Sequence, residues 1–491
     1  MTTHNQLMET AKALQGIFIC ALFLLAVQNA TAAAPSKEAS KKTDRPNIVL
    51  MLSDDTSWFD IGPYDRRHDY TPHNAITPHL DQLAEEGMLF TSAFTSTALC
   101  SPARQQLYTG LFPVRSGAYP QHSQAYKGTL SIAHYFDELG YRIGLAGKKH
   151  VAPESVYPFE TVGKDNRGKD GKTTFGIEQV EEFIRRDRQQ PFFLIIASNN
   201  SHGPWNRGNQ KLYKAKALNL PPFLIDTPGL RRILVSYYAE VSDLDNEVGL
   251  VDELLERTGV SDNTLFIFTS EHGAGLPFAK FTLYDAGLKT AFILRWPGKV
   301  ERGSVSEAMI QYVDVLPTLI EAAGGEVPSN VDGKSFMAVL DGDEAQHRDY
   351  TYGVHTTRNV HSGSDYPIRS VRDRQHKLIL NLMPQNTFSN LTTDSLKNRR
   401  GTLWDWQVKG EAGDKWAAER VNLYRNRPPI ELYDLLADPF ELNNLAGKKG
   451  YQPVIDKLQV KLTAWMEQQG DLGAQTELSA CERTASFKTC P

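Results

Sequence analysis

The fold class predicted by this 491-residue sequence is α/β: a mainly parallel sheet sandwiched by helices, followed by a smaller C-terminal α+β domain. Three observations predict it. Short apolar runs alternate with longer amphipathic stretches from Asn47 to about Gly325, the pattern of strands buried on both faces between helices. The chain is longer than one hydrophobic core usually organises. After about Asp341 the composition shifts to Tyr, Arg, Asn and Trp, with little helical period before a final amphipathic stretch. The expected division is 1–32 signal peptide, 33–45 disordered leader, 46–345 catalytic domain and 346–491 a smaller domain of antiparallel strands and a terminal helix.

Residues 14–27 form an apolar stretch too short to span a bilayer comfortably, and it ends in Ala30-Thr31-Ala32, which suits a signal peptidase. An uncleaved anchor is the alternative, because Lys12 is offset by Glu9. Ile19 before Cys20 is too large for a lipidation site. Lys37–Arg45 is polar and lysine-rich and reads as the disordered leader. Candidate strands then fall at Asn47–Leu52, Arg142–Ala146, Phe192–Ser198, Leu265–Thr269 and Ala291–Arg295. Helical periodicity marks His79–Glu86, Ile132–Leu139, Ile177–Arg186, Leu230–Arg257, Asp314–Ala323 and Tyr451–Gln469. With 53 Lys and Arg against 58 Asp and Glu, and a net charge of -5, nothing argues for nucleic acid or an anionic membrane surface. An exported protein, periplasmic or secreted, or lysosomal in a eukaryote, with no stable membrane association after cleavage, is the expectation.

Cysteine usage sharpens this. Removing residues 1–32 leaves Cys100, Cys481 and Cys490. An odd number in an exported chain suggests one pair plus one special thiol, so Cys481–Cys490 is the expected disulfide and Cys100 the thiol left over.

Polar residues gather where the candidate strands end. Asp54 and Asp55 follow the first strand, Lys148 and His150 the second, Asn200 and His202 the third, Glu271 and His272 the fourth. In an open α/β sheet the carboxyl ends of parallel strands share one edge, and ligands bind there. Asp54, Asp55 and Glu271 offer hard oxygen ligands to one divalent cation, with His272 as a fourth group and Cys100 beside them. Oxygen-rich ligation points to calcium, with magnesium possible, before zinc. Three carboxylates this close should repel unless a cation neutralises them.

Cys100-Ser101-Pro102-Ala103-Arg104 is the pattern by which the chain resembles the type I sulfatases, whose cysteine is oxidised to formylglycine. The family's other positions match Asp54, Asp55, Gly147-Lys148-Lys149-His150, His202, Glu271, His272 and Lys280, the last followed by Phe281-Thr282-Leu283-Tyr284. Val151, Pro153-Glu154, Val156-Tyr157-Pro158-Phe159 and Tyr366-Pro367-Ile368-Arg369-Ser370-Val371 are similar to the sulfamidase-like branch, which acts on N-sulfated heparan. Glu271 departs from the family's usual Asp, and His272 from that branch's Asn. The resemblance implies an alkaline-phosphatase-like fold, a formylglycine-generating maturation enzyme as a partner, and catalytic roles for Cys100, Arg104, Lys148, His150, His202 and Lys280. A hydrated aldehyde at position 100 can attack sulfur with one oxygen and use the other to expel sulfate, which a thiol cannot do. His150 would be the base for that release, Arg104 and Lys148 would steady the diol, and His202 and Lys280 would serve the leaving group.

The expected substrate is a sulfated polysaccharide or oligosaccharide carrying O-sulfate esters, ulvan-type algal glycan among them. His355, Arg358, His361 and Arg369 are the candidate substrate-binding residues. N-sulfoglucosamine hydrolysis is the alternative; a phosphonate or phosphate monoester hydrolase and an inactive glycan-binding homologue are further ones.

Overall fold

The computed structural model describes residues 45–165, 173–358 and 363–484. The expected signal peptide, nearly all of the expected leader, His361 and Cys490 lie outside the described residues. The strands are β1 Asn47–Ser53, β2 Met88–Phe90, β3 Ala93–Phe94, β4 Arg142–Gly147, β5 Glu160–Lys164, β6 Phe192–Ala197, β7 Thr264–Ser270, β8 Lys289–Thr290, β9 Phe292–Arg295, β10 Ser304–Ser306, β11 Ile310–Gln311, β12 Thr351–His355, β13 Ile368–Arg372, β14 His376–Asn381 and β15 Ile430–Asp434.

The main sheet has eight strands in the order β10-β2-β9-β7-β1-β6-β4-β5. Its centre, β7-β1-β6-β4-β5, is parallel throughout. Side chains alternate between two cores, as the period of two in a strand requires. From β1, Val49 and Met51 enter one core and Ile48, Leu50 and Leu52 the other; Leu194 and Ile196 of β6 oppose Phe193 and Ile195 in the same way. Each such side chain contributes roughly 1.5–3 kcal/mol by leaving water, which is why these strands read as unbroken apolar runs. β9 instead runs antiparallel to β7. The chain doubles back through residues 271–291 without the long crossover helix that a parallel return needs.

The second sheet is antiparallel, β12-β13-β14-β15. The helix Gln452–Gln469 lays Ile455, Leu458, Leu462 and Trp465 on one face of it, against Val354, Val371, Leu378 and Leu432. The opposite face sends Ile368, Ile379 and Tyr433 into a core shared with the main sheet. Residues from Arg45 onward accordingly form one compact unit.

Two helices in this region, Thr402–Glu411 and Lys415–Arg425, were not expected from the sequence. The second buries Ala417, Arg420, Val421 and Tyr424, a helical face with a cation in its middle. Arg420 is tolerated there because its guanidinium lies 3.6 Å from the centre of the Phe278 ring. Reading arginine as polar hides that face. Among the described residues, no helix is long and apolar enough to cross a membrane.

Candidate active site

Because β1, β4, β6 and β7 are parallel neighbours, their carboxyl ends meet at one edge. Backbone hydrogen bonds lock the loops that follow. Asp54 N donates to Asn200 O, Ser201 N to Asp54 O, and Glu271 N to Ser53 O. The loops after β6 and β7 are thus tied to the end of β1, which brings His202, Glu271 and His272 to the same edge as Asp54 and Asp55.

Cys100 enters from the helix Cys100–Thr109, whose first turn opens onto this edge. It is 1% exposed, and its Sγ lies 3.9 Å from Asp55 Oδ1. Pro102 sits within the first turn, where a missing N–H costs little. Arg104, one turn on, lies on the same face of the helix and is fully buried. Its Nε is 2.6 Å from Glu271 Oε2 and its Nη2 is 3.9 Å from Asp54 Oδ2. Lys148 Nζ donates to Asp54 Oδ2. Lys280 Nζ bridges both oxygens of Asp55 at 2.6 and 2.7 Å.

Asp54, Asp55 and Glu271 are therefore not left to repel one another: Lys148, Lys280 and Arg104 already face them. Side-chain cations thus take part in the neutralisation that the three carboxylates were expected to require. Burial would raise the Asp55 carboxyl, but Lys280, with His202 and His272, holds it below its ordinary value. For Glu271 the same burial penalty is outweighed mainly by Arg104, which keeps it well below the usual carboxylate range. Lys280 is buried too, yet Asp55 holds it firmly in the charged form.

The atoms left over point to a cation. Asp54 Oδ1, both carboxylate oxygens of Glu271 and His272 Nε2 are buried without a hydrogen-bond partner; the Arg104 contact to Glu271 is close but poorly aligned. Such atoms are costly unless something else satisfies them. One ligand atom each from Asp55, Cys100, Glu271 and His272 lies within 4.8 Å of the others, and so does a set from Asp54, Asp55, Cys100 and His202. His272 Nδ1 pairs with Gly273 O at 2.9 Å, which turns Nε2 toward the cluster, 3.6 Å from Asp55 Oδ1. This donor set, mostly carboxylate with one imidazole, fits a hard divalent cation. Such a cation would supply electrostatic stabilisation of a negatively charged group undergoing transfer.

His202 Nε2 is 3.9 Å from Asp55 Oδ2, and a third of its side chain is exposed, so it stands at the mouth of the site. His150 pairs with His122, Nε2 to Nδ1, at 2.9 Å. Both residues adopt left-handed backbone, φ 47° and 58°, which is uncommon outside glycine and tends to persist where surrounding structure enforces it. Burial, then the cations of Lys148 and Arg104, push His150 down to about 2, so its ring is neutral but weakly basic, and an anion bound beside it must raise its basicity before it serves as a base. His122 escaped the sequence reading. It follows no strand and matches no motif quoted for the family; only the folded chain brings it to His150.

His355, Arg358 and Arg369, the three candidate substrate contacts among the described residues, do not join this cluster. Arg369 is fully buried and forms a two-pronged pair with Asp471, its Nη2 2.9 Å from Oδ1. His355 is buried in β12 against Phe388, and burial with nearby Arg427 and Arg369 pushes it down to about 3. Arg358 pairs with Asp365, its Nε 2.9 Å from Oδ1.

The sheet, the edge and the cluster define a hydrolase of the sulfatase class built on an α/β fold. Residues 46–325 match the family model described as Sulfatase, and the chain belongs to that family. Residues 270–395 match the model "N-sulphoglucosamine sulphohydrolase, C-terminal". The chain is 33% identical over 444 residues to an ulvan-active sulfatase of Formosa agariphila, spanning 89% of this chain and 83% of that protein. It is 30% identical to the human N-sulphoglucosamine sulphohydrolase, over 86% of this chain and 90% of that one. A solved structure from the metabolism of multiple glycosaminoglycans by Bacteroides thetaiotaomicron has a TM-score of 0.69 at 18% identity, covering 90% of this chain and 100% of that chain, a likeness of fold. The chain is thus a sulfuric ester hydrolase.

Proposed function

We propose that this enzyme removes O-sulfate esters from a polyanionic glycan, with Cys100 matured to formylglycine by a dedicated enzyme and one calcium ion held by Asp54, Asp55, Glu271 and His272. The observation that carries this reading is the meeting of Cys100, three carboxylates, three cations and three histidines at one sheet edge. Charge supports it. Arg104, Lys148 and Lys280 balance Asp54, Asp55 and Glu271, so a bound dication leaves the site in net positive excess, suited to a sulfate monoester. Arg104 and Lys148 orient the group at position 100, neutral His150 takes its proton, and His202 and Lys280 face the departing oxygen. An ulvan-type substrate is favoured by the Formosa relative, at 33% identity.

N-desulfation of glucosamine is the second reading, favoured by the C-terminal family match over residues 270–395. Sulfate release from a panel of N-sulfated glucosamine, heparan, chondroitin and ulvan oligosaccharides separates the two. Release from O-sulfated, uronate-containing oligosaccharides is expected. Release confined to N-sulfated glucosamine overturns the O-sulfate preference, and release of phosphate from aryl phosphate but never sulfate from aryl sulfate overturns the sulfatase chemistry.

Export through residues 1–32 belongs to the same proposal, with the mature protein periplasmic or secreted. So does a disulfide between Cys481, buried near the C-terminus, and Cys490. Peptide mapping of exported protein without reductant should recover the two cysteines as one cross-linked species. Recovery of both as thiols contradicts the pairing, and reduction should leave turnover nearly unchanged because no residue of the cluster lies in that segment.

A further inference from the structure

We propose that a groove lined by Trp205, Arg232, Ser236, Arg399, Arg400 and Trp404 is a separate sugar subsite, which takes a carboxylated or sulfated pyranose next to the sugar being desulfated. The groove encloses about 560 Å³, within the range of small-molecule sites. None of the cluster residues lines it, so it is not the sulfate pocket itself. Trp205 joins the two. Its Nε1 donates to Ser201 O at 2.8 Å, next to His202. A Cβ placed on Gly275 would stand 3.4 Å from Asp55 Oδ2 and 3.8 Å from Trp205 Cζ2, so the indole lies one glycine away from the Asp55 carboxylate. Trp205 therefore ties the groove to the segment that carries His202.

Its chemistry suits an anionic sugar. Among the described residues no carboxylate forms an ion pair with Arg232, Arg399 or Arg400, although the chain as a whole is acidic. Asp405, which also lines the groove, lies on the backbone at Gly229, where a Cβ would meet its Oδ2 at 1.9 Å and Arg232 Nη2 at 3.9 Å. Arg232 thus has a carboxylate nearby, and Arg399 and Arg400 are the cations free of one. Arg399 stands 5.8 Å from the centre of the Trp404 ring. Indole faces accept the apolar face of a pyranose, and guanidinium groups bind carboxylate or sulfate through paired hydrogen bonds. Three arginines in no ion pair, around two tryptophans, thus match one polyanionic sugar unit. This inference rests on the proposed glycan reading for the identity of its ligand.

The test compares wild type with Arg399→Ala/Arg400→Ala, both exposed residues outside the cluster. For a sulfated, uronate-containing tetrasaccharide, KM should rise about 10-fold or more with kcat little changed, as expected for lost charge-assisted hydrogen bonds. Hydrolysis of a chromogenic aryl sulfate, too small to reach the groove, should be unaltered, and the KM difference should shrink at high salt. An unchanged tetrasaccharide KM overturns the subsite, as does a parallel loss with aryl sulfate. If wild type releases sulfate from neither compound, the glycan sulfatase reading fails. Tryptophan fluorescence titration with the same tetrasaccharide then judges the groove alone: affinity about 10-fold weaker in the double variant supports it, and equal affinity overturns it.

Discussion

Cys100→Ser protein should fold and melt like the parent and release no measurable sulfate. The side chain is buried, and its hydrogen bond to Asp55 Oδ1 is long, 3.9 Å, so an oxygen of smaller radius fits the same space. Chemistry changes completely. Serine can accept a sulfuryl group but offers no second hydroxyl to expel it, so turnover should fall by about three orders of magnitude or more, the scale of losing an essential nucleophile. Peptide mass spectrometry of active wild-type enzyme should find residue 100 as the aldehyde or its hydrate. Fully active protein carrying only unmodified cysteine would falsify the formylglycine mechanism.

Much of this site was legible in the sequence because the central strands are buried on both faces. Ile48–Leu52 and Phe193–Ala197 have no polar member, so the residues that end them are conspicuous, and Asp54, Lys148, His202 and Glu271 each stand within a few residues of a strand end. Parallel packing then does what the sequence implies and brings those ends together. What was not legible depends on long-range contact. β3, β8 and β11 are two residues long and carry no period at all. The pairing of Lys148 with Asp54 and Lys280 with Asp55 joins residues 94 and 225 positions apart, which is why the carboxylates looked uncompensated. His122 is drawn to His150 across 28 positions by loops on either side. Arg369 looked available for substrate because its partner, Asp471, comes 102 residues later in the chain.

Removing the divalent cation should abolish sulfate release, and Glu271→Asp should weaken both the cation site and the activity even though it installs the residue more usual in the family. Glu271 has two tasks that its length lets it combine. One oxygen reaches Arg104 Nε at 2.6 Å, while the other stands 3.3 Å from His272 Nε2 and has no hydrogen-bond partner. Aspartate is shorter by one C–C bond, about 1.5 Å. If the backbone stays fixed by the bond from Glu271 N to Ser53 O, the carboxylate recedes from Arg104 to about 4 Å. At an effective dielectric near 20 that withdrawal costs about 2 kcal/mol of attraction. A loss of about 30-fold in kcat/KM is the expected scale. Arg104 is buried, so its charge has no water to turn to. Stability reports on the cation independently of turnover. Calcium added to chelated protein at about 100 times its Kd should stabilise the fold by about 2.7 kcal/mol and raise the melting temperature. In Glu271→Asp that rise should need a higher calcium concentration. A chelated enzyme with full activity and an unchanged melting temperature would remove the cation from Asp54, Asp55, Glu271 and His272. A Glu271→Asp variant with parental calcium affinity and kcat/KM would show that the Arg104 contact does not depend on the extra methylene.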